Sequence, residues 1–173
     1  MIGKRHEYRI VTVLAAAALI LAGCKITYSF SGTSIQPDVK TICIEQVVNK
    51  ATKVNPALAN QITESLNDKF KRLTKLSTVE EDGDLNLAVT IESYDVRAAA
   101  ISANDVAAMN RLTITVKIKF TNNLHPENNV ESSFAGYDDF DATQSLDAVE
   151  ASLCDAIVEK LVDDIFNATV AQW

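Results

Sequence analysis

Leu112, Ile114, Val116, Ile118 and Phe120 alternate without a break against Thr113, Thr115, Lys117 and Lys119. Period-two alternation puts each set on its own side of a β-strand, so one face of this segment is apolar and the other polar. An apolar sheet face needs a second layer to cover it. Two segments supply that layer by their own period. Leu58, Ile62, Leu66, Phe70, Leu73 and Leu76 fall at steps of four and three, as do Leu146, Val149, Leu153, Ile157, Leu161 and Ile165. Each set makes one stripe along a helix. Asn55-Pro56 reads as the start of the first helix, Asn as N-cap and Pro at the first helical position. Ser145 starts the second, which runs to about Ala168.

The remaining segments complete a sheet. Val39 to Val47 is rich in β-formers, with Ile42 and Ile44 alternating against Thr41 and Cys43. Leu85, Leu87, Val89 and Ile91 alternate against Asn86, Ala88, Thr90 and Glu92, and Val130 to Phe140 reads as a further strand. Glu80 to Asp84 is a turn, while Ala98 to Asn104 and Thr121 to Asn129 are loops. The order is β-α-β-β-β-α. The expected fold is α+β: a two-layer sandwich, with a mostly antiparallel sheet of about four strands and two amphipathic helices packed on one face. Two charged faces stand out. Asp68 precedes Lys71 and Arg72 by three and four residues, an arrangement for self-pairing on a solvated face. Asp155, Glu159 and Asp163 form an acidic ridge on the second helix.

The N-terminus carries an export signal. Lys4, Arg5 and Arg9 precede an uncharged apolar run, Ile10 to Ala22, that ends in Leu21-Ala22-Gly23-Cys24. A basic start, a short apolar run and small residues at the cut make a secretory signal peptide. The run is too short for a spanning helix. A cysteine after Leu-Ala-Gly is the lipobox of bacterial lipoproteins, so Cys24 is the expected lipid attachment residue. The organisation read from this is a signal peptide over 1–23, a lipidated tether over 24–37 and a single domain over 38–173. N-terminal acyl chains then anchor the chain to a membrane. Removing 1–23 takes Lys4, Arg5, Arg9 and Glu7 from the chain's 16 basic and 23 acidic residues, moving the formal charge from −7 to −9. Nucleic acid is excluded as a partner, because its binding starts from a basic footprint. Cys43 and Cys154 would be allowed to pair in an oxidising compartment. Cys154 lies beside Ile157, Leu161 and Ile165, so two buried free thiols are expected over a disulfide.

The chain is poor in chemistry-bearing groups. After Cys24 its one histidine is His125, in the turn Leu124-His125-Pro126, and it reads as a solvent-exposed turn residue. There is no Gly-rich phosphate loop, no HExxH and no CxxC. Glu80 to Asp84 lacks the ligand spacing of a calcium loop. Asp138-Asp139-Phe140-Asp141 ends a strand, and Asn167-Ala168-Thr169 is a sequon within a helix. No catalytic residue, metal ligand or cofactor is assigned, and an enzyme is not expected.

Several extended strings resemble a known family. They are Tyr28-Ser-Phe-Ser-Gly-Thr-Ser-Ile35, Gly83-Asp-Leu85, Asn110-Arg-Leu-Thr-Ile-Thr-Val116, Lys119-Phe-Thr-Asn122, Tyr137-Asp-Asp-Phe-Asp141 and Asp164-Ile-Phe-Asn-Ala-Thr-Val-Ala-Gln-Trp173. Together they resemble LptE, the lipopolysaccharide-assembly lipoprotein, in its Bacteroidota form. The resemblance implies an outer-membrane lipoprotein, facing the periplasm, that sits in the LptD β-barrel as plug and assembly partner. Lys25-Ile26-Thr27-Tyr28, without acidic residues, agrees with that placement. The resemblance also brings in lipopolysaccharide as a candidate ligand. Lys117 and Lys119 share a strand face, with Arg97 and Arg111 nearby, and these four are the candidate lipopolysaccharide or barrel contacts. The alternative is a periplasm-facing lipoprotein that binds a small ligand or glycan, which calls for an apolar pocket.

Overall fold

A computed structural model describes residues 35–53, 55–99 and 108–170. The expected signal peptide, Cys24, most of the expected tether and most of the loop expected after Ala98 lie outside the described residues. Six strands and two long helices follow in order: β1 (Thr41–Ile44), β2 (Val48–Asn49), α1 (Leu58–Leu73), β3 (Ser77–Val79), β4 (Leu85–Ala98), β5 (Met109–Asn122), β6 (Val130–Asp141) and α2 (Leu146–Thr169).

The sheet order is β3-β1-β4-β5-β6, with β2 also paired to β4. The long ladders are antiparallel, β4 with β5 and β5 with β6. The two-layer α+β architecture is the expected one, with two short strands more than the sequence suggested. The strand expected over Val39 to Val47 is interrupted. β1 pairs with Leu85 to Leu87 and β2 with Thr90 and Ile91, so the two follow one side of β4 in succession. Between them the Val47 N–H donates to Thr63 Oγ1 of α1 at 3.1 Å. Both β1 and β2 run parallel to β4, and β3 runs parallel to β1. A helical crossover, α1, is what allows a parallel return.

The core lies between the sheet and the helices. Leu85, Leu87, Val89, Ile91, Leu112, Ile114, Val116, Ile118 and Phe120 face it from β4 and β5. Ile114 and Val116 are fully buried while Lys117 is exposed, which is the register read from the alternation. Phe70 of α1 meets Phe166 of α2 edge to face, with centroids 5.1 Å apart. Gly136 of β6 lets α2 approach closely: a Cβ there would stand 2.9 Å from Ile157 Cγ2 and 3.0 Å from Leu161 Cγ.

The first stripe is shorter than read. Leu58, Ile62, Leu66 and Phe70 are buried, but Leu73 is 46% exposed because α1 ends there. Leu76 is buried from the connection to β3. The helix starts later than Asn55-Pro56 suggested: its N-cap is Ala57, without a side-chain cap bond, and Asn55 Oδ1 accepts the Ala57 N–H at 3.0 Å in the turn that leads into it.

The turn expected at Glu80 to Asp84 is a structural clasp. The Asp84 carboxylate accepts the N–H groups of Lys40 and Thr41 at 2.8 and 3.0 Å, and the Asp84 N–H donates to Thr41 Oγ1. These bonds hold its carboxyl below the usual range. Cys43 Sγ donates to the Glu80 carbonyl, so the turn covers the side of β1 that the helices do not. That is why Ile42 and Cys43 are both buried. Cys43 and Cys154 are free thiols, each raised in pKa by burial.

Candidate functional site

The helices cover one side of the β4–β5–β6 ladder, and the other side carries the candidate residues. Cross-strand partners share a face, so the register builds this surface row by row. Ala88, Lys119 and Glu131 form one row and Thr90, Lys117 and Ser133 the next. Ser93, Thr115 and Ala135 follow, then Asp95, Thr113 and Tyr137, then Arg97, Arg111 and Asp139. The surface is broad, with short hydroxyl and methyl side chains at its centre and charge at its two ends.

All four candidate cations stand on this face, but not as one cluster. Lys117 and Lys119 are at one end, Arg97 and Arg111 at the other. Two of them are engaged. Arg111 is bound to Asp139, Nε to Oδ1 at 2.7 Å and Nη2 to Oδ2 at 2.9 Å, and lies 4.0 Å from the Tyr137 ring centre. The pair raises the Arg111 pKa and holds Asp139 below its usual value. Lys117 is paired with Glu131 Oε1 at 2.6 Å, which raises the lysine and lowers the glutamate. Arg97 and Lys119 are exposed and form no ion pair among the described residues. Two of the four candidate cations are thus held by acids of β6, Arg111 by Asp139 directly across and Lys117 by Glu131 on the diagonal. Sequence alternation places Arg111 and Lys117 on a face, but cannot say which acids stand opposite them.

Other sequence readings resolve differently. His125 is not a freely exposed turn residue: its Nε2 lies 2.9 Å from Asp38 Oδ2, and its Nδ1 lies 3.5 Å from Glu127. It ties the β5–β6 turn to the segment before β1. The acidic ridge on α2 turns toward α1. Gln61 Nε2 donates to Asp155, and Lys69 pairs with Asp163. Asp68 forms no ion pair with Lys71 or Arg72. A cluster that the sequence did not suggest joins Tyr94 of β4 to the first turns of α2. The Tyr94 hydroxyl donates to Glu150 Oε1, while Asn55 Nδ2 contacts Cys154 Sγ at 3.8 Å. Burial is the main cause that raises both Tyr94 and Cys154, so neither is an activated nucleophile.

The cavity beneath Ile35, lined by Leu85, Phe120, Asn122 and Val170 among others, holds about 40 Å³. That is room for a water or two, while two larger and more open grooves, about 510 and 360 Å³, lie between α1 and α2 and are lined largely by polar residues such as Gln61, Glu64, Asp155 and Asp163. No helix among the described residues is long and apolar enough to cross a membrane.

A family model described as LptE, lipopolysaccharide-assembly, matches residues 39–169. Curated proteins give no match. Among solved structures, a hypothetical protein from Chlamydia trachomatis, CT253, is similar with a TM-score of 0.52 at 9% identity, over 76% of this chain and 98% of that one. Protein XCC0632 from Xanthomonas campestris has a TM-score of 0.50 at 12% identity, over 75% and 86%. At such identities the likeness is one of fold.

Proposed function

Since the chain belongs to the LptE lipopolysaccharide-assembly family, we propose that it is a lipid-anchored, non-enzymatic plug and assembly partner of an LptD-type β-barrel in the outer membrane. Cys24 would carry the anchor, and the domain would face the periplasm. The observation that carries this reading is the sheet face that no element among the described residues covers. Five rows of β4, β5 and β6 side chains stand outside the core, and their central positions are Thr, Ser and Ala. Such a face is polar enough to persist in water, and small enough in side-chain size to lie close against another surface. A wide barrel holds more lumen than its own side chains fill, so a compact polar domain suits it.

On this reading Lys119 and Arg97 are the cations free to meet an acidic group of the barrel or a phosphate of lipopolysaccharide. Lys117 and Arg111 would reach such a group only by sharing it with Glu131 and Asp139. Purification from native membranes in mild detergent tests the proposal. The chain is expected to bring down a large β-barrel protein at near one-to-one ratio. Recovery without such a barrel would overturn it.

A further inference from the structure

β6 pairs with β5 on one side only, and no strand among the described residues pairs with its other edge. The ladder fixes which backbone groups point there. The Ala142 N–H donates to the Ala108 carbonyl at 3.0 Å, one step beyond the Met109–Asp141 pair. Bonded and non-bonded pairs alternate in an antiparallel ladder. The even-numbered residues of β6 therefore bond to β5, while Glu131, Ser133, Ala135, Tyr137 and Asp139 turn their N–H and C=O groups outward. Lys160 Nζ reaches the Tyr137 carbonyl at 3.1 Å from that side, as this alternation requires.

Sheet edges are ordinarily guarded by shortness, proline, lysine or a bulge. The opposite edge obeys, since β3 has three residues. β6 has 12 residues in unbroken register with β5, and no proline or lysine. At its centre, Ser132 to Gly136 is uncharged. Its charged residues are all acids: Glu131, Asp138, Asp139 and Asp141. A second copy of the strand would set this acidic edge beside itself, within a chain of already negative charge. A strand with Lys or Arg at alternate positions would instead meet Asp141 at one end, and Glu131 and Asp139 by sharing them with Lys117 and Arg111.

We propose that the free edge of β6 receives an extended, basic segment of the barrel partner as an added strand. This rests on the barrel-partner reading above. A closed barrel wall has no free edge to offer, so the donor is a loop or terminal segment of that partner.

Hydrogen exchange on the complex purified from membranes, compared with the free protein, tests this. The amides of Ser133, Ala135 and Tyr137 are expected to exchange fast in the free protein and about 100-fold more slowly in the complex. Ser133→Pro and Ala135→Pro remove an outward N–H and leave the bonds to β5 intact. Each is expected to keep the fold by circular dichroism and to lower barrel recovery about tenfold. Glu131→Lys should lower it similarly if the donor is cationic; unchanged recovery would overturn the basic assignment. Edge amides that stay fast in a complex still formed by the proline variants would overturn the edge proposal and leave the barrel reading standing. Protection already present in the free protein would mean that another occupant holds the edge, and would overturn it too. If the wild-type chain recovers no barrel, both readings fail.

Discussion

Arg111 and Asp139 stand opposite each other on β5 and β6, joined by two hydrogen bonds with the guanidinium laid against the Tyr137 ring. Arg97 is the other cross-strand neighbour of Arg111 and has no such partner among the described residues. One arginine of the row is thereby fixed and the other left free. Arg111→Ala is expected to raise the Asp139 pKa toward the ordinary aspartate value, followed by carboxyl chemical shifts, while Arg97→Ala leaves it unchanged. Because the folded Asp139 pKa is depressed, the contribution of the pair is present above the unfolded aspartate pKa. It is lost as pH falls through the folded value.

The Asp84 clasp has the same sign. Its carboxylate is held down by two backbone N–H groups. The wild type should therefore lose stability as pH drops below about 4. Asp84→Asn should melt lower at neutral pH and show a flatter decline over that acid window. Parallel melting curves across the window for the two proteins would contradict the role given to this carboxylate.

The strand register makes a sharper demand. Val116 is fully buried, so Val116→Asp places an unpaired charge in the core and should cost roughly 4 kcal/mol or prevent folding. Lys117→Ala, one residue on and exposed, should shift the denaturant midpoint little. Similar midpoints would place the core on the wrong side of β5.

Two glycines differ in what surrounds them. A Cβ at Gly83 would lie 2.5 Å from the Leu85 carbonyl and 2.6 Å from the Cys43 nitrogen, both backbone atoms. At Gly136 its nearest neighbours are side-chain carbons of α2, which can shift. Gly136→Ala should cost about 1–3 kcal/mol, and Gly83→Ala should cost more. Chemical denaturation of the two variants gives the order directly.

Much of this architecture was legible because burial imposes a period. The β5 alternation and the two helical stripes each follow from one apolar side, and the structure keeps the alternation whole and the stripes over Leu58 to Phe70 and Leu153 to Ile165. What the sequence concealed came from contacts without a period. Cys43 is buried by the distant Glu80 turn, not by its place in the alternation. β2 and β3, at two and three residues, are too short to show a pattern. Leu73 continues a stripe that the chain has already left. At the candidate site, alternation places Lys117 and Arg111 on one face but says nothing of their partners, Glu131 on the diagonal and Asp139 directly across, since register is a property of the folded pair. The Tyr94–Glu150 contact joins residues 56 apart and had no local signal.

Depletion of the chain in its native cells, with lipopolysaccharide assayed at the cell surface, asks whether the chain acts in lipopolysaccharide assembly. Loss of the plug should lower both the assembled barrel and surface lipopolysaccharide, with lipopolysaccharide accumulating behind the outer membrane, and reintroducing the wild-type chain should restore both. Undiminished surface lipopolysaccharide after full depletion would contradict the account.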